Sequence, residues 1–246
     1  MKRRFPLELT SAALHLLAMA LMLCDHLWGT IVPGNDWLNR LGRLAFPIFA
    51  FMIVEGYFHT KNLKKYLLRL LIGAILSEIP FNLALGGRWF YPIHQNVLWT
   101  FLIAILLIHW NEKVRTGSQP TLRLLTCGAT LILGTILGLI TFVDYHHVGV
   151  LTVLMFYFLR GRKWWHLVGQ FVCLWYFNTE MLGGIGRDVE IFGHTVFLLR
   201  QSLTVLGLIP IWLYRGRQGH HSRLFQYGCY AFYPLHLLIL GLLRVL

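Results

Sequence analysis

Asp25 and His26 stand side by side near the end of a long apolar run, in the stretch LMLCDHLWGT (21–30). A neutral imidazole is the usual proton acceptor near pH 7, so this position raises general-base chemistry. Successive residues of a helix point about 100° apart, so adjacency alone does not bond the two side chains to each other. Both can still converge on a pocket completed by other segments; the plainer reading is an acid–base pair wetted at a membrane edge. Further ionisable or amide residues sit in later apolar runs. Glu55 and His59 are four apart, as are Glu78 and Asn82, with Pro80 between the latter two. His94, Gln95 and Asn96 open another run, and Asn96 there also suits an ordinary helix cap. Tyr230, Tyr233 and His236 recur at spacings of three, and Arg43 precedes the Phe46-Pro47 pair. Within a bilayer such groups cost roughly 2.5–3.5 kcal/mol each at a helix centre, and they persist mostly where they line a cavity or pair.

The elements that must position these residues are membrane helices. The 246 residues are 57% apolar and 13% charged, against roughly a quarter charged in ordinary soluble domains. Apolar runs at 9–31, 44–59, 66–85, 96–111, 122–143, 146–159, 164–181, 196–214 and 227–245 predict about nine spans of the kind that cross ~30 Å of hydrocarbon. The sixth is short enough to be re-entrant or enclosed by its neighbours. The prediction is an all-α polytopic bundle, residues 1–246 forming a single integral membrane domain.

Charge sets the expected orientation. With the N-terminus cytoplasmic, Arg40, Arg43, Arg88, Arg187, Arg200 and Arg244 fall outside, and the other 16 of the 22 Lys and Arg fall inside, starting from Lys2, Arg3 and Arg4. That asymmetry is the positive-inside pattern and predicts a bacterial inner membrane or its equivalent. It also accounts for the net charge of +12 without nucleic acid. The inner basic residues, Arg69 among them, set topology, and would also suit a phosphate-rich ligand. The first run lacks a small-residue cleavage site and reads as a retained helix. Cys24, Cys127, Cys173 and Cys229 show no CxxC pair, which argues against a zinc site or disulfide framework. Trp28, Trp37, Trp89, Tyr91, Trp110, Trp164, Trp165 and Tyr214 fit interfacial belts. No P-loop, GxSxG, HExxH or dinucleotide fingerprint occurs in a suitable context.

The segments LMLCDHLWGT, RLGRLAFPIFAFMIVEGYFHTKNLKKYLLRLL, SEIPFNLAL, NVLWTFLIAILLI, HVGVLTVLMFYFLR and AFYPLHLLIL, in that order, resemble the TraX family of integral membrane proteins. That family takes its name from a conjugative-plasmid protein that acetylates the N-terminus of pilin, and it is distantly similar to the transmembrane acyltransferases. The resemblance implies an acetyl-CoA-dependent membrane acyltransferase with His26 as the base and Asp25 as its orienter. Arg43, Glu55, Glu78 and His236 would line the tunnel, with His59, Arg69, Asn82, Asn96 and Tyr233 as further donor- or substrate-binding groups and no metal. The implied partners are an acyl acceptor (a pilin-like peptide N-terminus, or a glycan or lipid hydroxyl), membrane lipids and, in some arrangements, further copies of the chain. Two other classes fit the residues: a proton-coupled transporter using Glu55, Glu78 and His26 as a relay, and a noncatalytic assembly protein in which polar residues merely join helices.

Overall fold

Thr10 starts the first helix: its hydroxyl accepts from Ala13 N at 3.2 Å, capping α1 (Ser11–Thr30). The computed structural model describes residues 8–116, 119–184, 186–191, 194–220 and 222–245, so Lys2, Arg3 and Arg4 lie outside the described residues. A short α2 (Asp36–Gly42) turns the chain into α3 (Ala45–His59). Asn62 caps α4 (Leu63–Phe81), whose Pro80 lacks an amide hydrogen for the helical ladder. The helix loosens directly afterwards into a π-turn, Asn82–Gly86, closed by Gly87 at φ 61°. Asn96 caps α5 (Val97–Arg115), accepting from Leu98 N at 3.1 Å, and α6 (Pro120–Ile140) begins on a proline, where a missing donor costs nothing. Then come α7 (His146–Phe158) and α8 (Trp164–Tyr176), the latter ending in a π-turn, Phe177–Met181. Strands β1 (Gly186–Ile191) and β2 (His194–Leu199) pair antiparallel, Gly186 opposite Leu199. A 3-10 helix, Arg200–Gly207, leads into α9 (Leu208–Leu213), and α10 (Arg223–Val245) ends the fold.

Among the described residues, six helical stretches are long and apolar enough to cross a membrane: Ser11–Thr30, Asp36–His59, Leu63–Gly86, Val97–Arg115, Pro120–Ile140 and Arg223–Val245. They coincide with the first five and the last of the expected spans, and the chain is a helical membrane protein. Three expected spans take another form. The 164–181 run is α8 with its π-turn, helical but not among the six long apolar stretches. The 146–159 run is the 13-residue α7, buried continuously from Val148 to Tyr157, so protein surrounds it on all sides. The 196–214 run is no continuous helix. It opens as β2, tightens into the 3-10 helix and is α-helical only over Leu208–Leu213. The β1–β2 hairpin is thus the departure from an all-helical fold, formed where Val196-Phe197 supplies β-favouring residues.

Packing relies on small residues, as it must where lipid removes the hydrophobic drive between helices. Along α6 the buried positions are Thr126, Thr130, Gly134 and Gly138, one every four residues. A Cβ on Gly138 would lie 2.5 Å from the Cα of His147, so α6 and α7 approach almost backbone to backbone. The central core, which α7 enters through Leu154, also includes Leu14, Ile48, Ile105 and Leu208, all buried.

The bundle has two distinct ends. At one, Ser11 N donates to Arg217 O at 2.8 Å, Arg162 donates to Trp212 O, and Arg160 meets Glu55. Most Lys and Arg gather there, and it is termed the basic end. At the other, Gln95 N donates to Phe142 O at 2.9 Å, Arg200 pairs with Asp36 and Arg244 donates to Ala84 O. The cavity described next opens at this second, histidine end.

Candidate active site

A cavity of about 330 Å³ lies between α1, α3, α10 and the segments preceding α5 and α7. Asp25, His26, Trp28, Arg43, His94, Asp144, Tyr145, Gln201 and Tyr233 supply its polar wall, and Met22, Phe46, Phe49 and Phe101 part of its apolar wall. Its size and mixed lining are those of a small-molecule site.

His26 is held by another histidine. Its Nδ1 lies 2.7 Å from Nε2 of His236, with ring centroids 4.9 Å apart and planes within 11°. That separation matches two imidazoles joined edge to edge along one hydrogen bond. His236 Nδ1 lies 2.6 Å from the carbonyl oxygen of Phe232, which can only accept, so Nδ1 of His236 carries the hydrogen. Nε2 of neutral His236 must then accept, and His26 Nδ1–H donates to it. The network thereby leaves Nε2 of His26 as an unprotonated lone pair, the form a general base requires.

Asp25 is engaged elsewhere. Its Oδ1 and Oδ2 accept from Nη2 of Arg43 at 2.5 and 2.6 Å, and Oδ1 also accepts from Asn39 Nδ2 at 2.9 Å. The packing enforces this: a Cβ on Gly42 would lie 2.3 Å from the Cβ of Asp25, so only glycine lets α2 close over the carboxylate. The expected role of Asp25 as orienter of His26 is therefore corrected. The carboxylate orients Arg43, because the helical twist turns it away from the imidazole.

The floor of the cavity is a tight turn between α6 and α7. Phe142, Tyr145 and His146 have φ of 52°, 59° and 46°. Non-glycine residues in this region cost of order 1–3 kcal/mol each and cluster at functional sites. Here they are held by Asp144 N donating to Gln95 O, Thr100 Oγ1 donating to Asp144 O at 2.8 Å, and Tyr145 stacking on Phe46 at 4.1 Å. His94 Nε2 lies 3.4 Å from Asp144 Oδ1, and this hydrogen bond to the carboxylate raises the His94 pKa against the opposing effect of burial.

Of the residues assigned to the site from the sequence, Asp25, His26, Arg43 and Tyr233 line the cavity, and His236 stands behind His26. The others lie elsewhere. Glu78 accepts from Asn96 Nδ2 at 2.5 Å and Trp99 Nε1 at 3.1 Å, fastening α4 to the start of α5, so the predicted convergence of Glu78 and Asn96 with His26 does not form. Asn82 is buried in the π-turn, where its carbonyl oxygen accepts from Arg88 N. Glu55 and His59 sit at the basic end, Glu55 on Arg160 at 2.8 Å and His59 Nδ1 on the Glu55 carbonyl. Arg69 faces the ring of Tyr230 at 5.8 Å. Trp28, His94, Asp144, Tyr145, His146 and Gln201 line the cavity without having been picked out as site residues. Trp28 looks like an interfacial anchor, and a tyrosine held at positive φ has no sequence signature.

A family profile described as TraX protein matches residues 10–244. A curated relative, named a probable fimbrial assembly protein (FimC, serogroup H1) of Dichelobacter nodosus, is 25% identical over 251 aligned positions, which cover 95% of each chain. No solved structure matches the chain.

Proposed function

Because the chain belongs to the TraX family, we propose that it is a membrane-embedded acyltransferase that moves an acetyl group from acetyl-CoA to an amine or hydroxyl acceptor, with His26 as general base. The observation that carries this reading is the Phe232–His236–His26 hydrogen-bond chain, which leaves a basic Nε2 on a residue lining the cavity. The acceptor's nucleophile bonds to the thioester carbon as His26 Nε2 takes its proton. As the C–S bond breaks, the imidazolium returns that proton to the leaving thiolate. His94 and Asp144 also line the cavity and would meet the acceptor, and a pilin-like N-terminus fits the fimbrial relative's name. The cavity suits the acyl end of the donor; the nucleotide would lie outside it.

The basic end would face the cytoplasm of a bacterial inner membrane, with the N-terminus inside and the cavity toward the outer face, since Lys and Arg concentrate at that end. The test is release of free CoA by purified protein in lipid nanodiscs, given acetyl-CoA and a synthetic peptide with a free N-terminus. His26→Ala lowers that release by on the order of 10³-fold; unchanged turnover in the variant would sink the assignment. The name of the fimbrial relative also supports a noncatalytic assembly role, in which His26→Ala leaves fimbrial assembly intact.

A further inference from the structure

Three residues that line this cavity each keep a buried side-chain atom with no partner among the described residues: Arg43 its Nε, Trp28 its Nε1 and Gln201 its Oε1. Burying a polar group unpaired costs about 1–3 kcal/mol, so such atoms at a cavity mark where a ligand supplies the missing partner. Two of the three are donors. We propose that Arg43 Nε–H and Trp28 Nε1–H bind the carbonyl oxygen of the transferred acyl group, and that Asp25 serves by aiming Arg43. This rests on the acyltransferase reading above.

Each donor is fixed before any ligand arrives. Nη2 of Arg43 is committed to both oxygens of Asp25, and Asn39 holds Asp25 from the other side. That anchor restricts the guanidinium, and Nε–H is its buried donor without a partner among the described residues. Trp28 has the Arg200 guanidinium over its ring at 5.8 Å, and Arg200 is itself tied to Asp36 at 2.5 Å. Gln201 Oε1 is an acceptor and has no part in this subsite.

Donors that need no reorganisation, aimed where charge develops, are the usual source of transition-state stabilisation in acyl transfer. When the nucleophile adds, the carbonyl π pair moves onto oxygen, and the oxygen's new negative charge accepts hydrogen bonds from Arg43 Nε–H and Trp28 Nε1–H. The pair returns as the thiolate departs. The Asp25–Arg43 pair is neutral overall in the resting site, so the subsite favours an oxygen that becomes charged during reaction over a permanently charged anion. This also explains why an Asp adjoins the base. One residue takes the proton, and its neighbour, turned about 100° away, aims the donor that stabilises the charged oxygen.

The test pairs Trp28→Phe and Arg43→Lys with a ketone analogue of acetyl-CoA, a methylene replacing sulfur and the carbonyl labelled with ¹³C. Its infrared carbonyl stretch moves to lower frequency on binding the wild type, and this shift shrinks in both variants but persists in His26→Ala. Turnover falls about 10²-fold in Trp28→Phe and in Arg43→Lys, with little change in KM for acetyl-CoA. Asp25→Asn loses the carbonyl shift while the pH midpoint of turnover stays where His26 sets it; a moved midpoint would return Asp25 to His26 and overturn its role here. Trp28→Phe keeps the ring and its contact with Arg200, so it carries the test alone if Arg43→Lys does not fold. Binding with the full shift retained in Trp28→Phe refutes the subsite and leaves the acyltransferase intact. No binding of the analogue and no CoA release by the wild type refutes both.

Discussion

At the basic end the polar side chains satisfy one another. Glu55 meets Arg160 at 2.8 Å, and Arg162 spans the carbonyls of Trp212 and Tyr214. The Tyr157 hydroxyl lies 2.8 Å from Asn111 Oδ1 and 2.7 Å from Glu112 Oε1, while Asn111 Nδ2 donates to Thr130 Oγ1 at 2.9 Å. His166 Nδ1 is the exception there. Around His26 the contrast is plain: Arg43, Trp28 and Gln201 all keep a buried atom without a partner among the described residues. The two regions draw on the same residue types, so composition does not separate a structural polar cluster from a site. What separates them is whether the hydrogen bonds close on themselves, because a closed network only joins helices.

Substitution of one residue at each end is the strongest way to break this comparison. His26→Ala lowers acyl transfer by on the order of 10³-fold, within the range of a positioned acid–base group, and leaves the fold intact. Tyr157→Phe does the reverse. It leaves turnover unchanged and lowers stability by about 1–3 kcal/mol, since Asn111 Oδ1 stays buried without that donor. Turnover by CoA release and thermal unfolding in nanodiscs, measured on both variants, give crossed effects. Parallel losses would mean that the two ends form one functional unit.

A subtler change separates the base from its support. His236→Ala keeps His26 but removes the acceptor that fixes its tautomer, and turnover falls about 10²-fold, less than for His26→Ala. His236→Gln, whose amide oxygen can accept from His26 Nδ1–H, recovers part of the loss. Equal activity in His236→Ala and wild type would show that the pair of rings is packing only. Gly42→Ala acts on the other half of the site. Its new methyl meets Asp25 at 2.3 Å, costing about 1–3 kcal/mol as overpacking and displacing Arg43. Gly128→Ala on α6, with open space at the same atom, is the control and gains about 0.5–1 kcal/mol.

Hydropathy carried the long helices, because one uninterrupted apolar run suffices to mark each of them. It misread 196–214, where apolar content continues while the backbone passes from strand to 3-10 helix to α-helix. Within the site, His26 and Arg43 were legible as ionisable groups in apolar surroundings. Glu55 and Glu78 gave the same signal and proved to be bonded to Arg160 and Asn96, since spacing along one helix says nothing of what the next presents. Tyr145 and Gln201 were illegible for another reason: their place depends on a strained turn and a short 3-10 helix.

The smallest effect tests the rim of the cavity. His94 is 37% exposed and its contact with Asp144 spans 3.4 Å, so the pair is weak but titratable. Asp144 raises the His94 pKa in the folded state, so protonated His94 is favoured by folding. Its contribution to stability is full below the unfolded value near 6.5 and disappears as pH rises through the higher folded value. Asp144→Asn keeps the shape of the turn but removes the charge. The difference in melting temperature between wild type and Asp144→Asn is therefore largest at acidic pH, still above the carboxylate range, and narrows toward pH 9. A gap that instead widened with pH would mean that Asp144 serves the closed backbone network of the turn, and the contrast between the two ends would blur at that position.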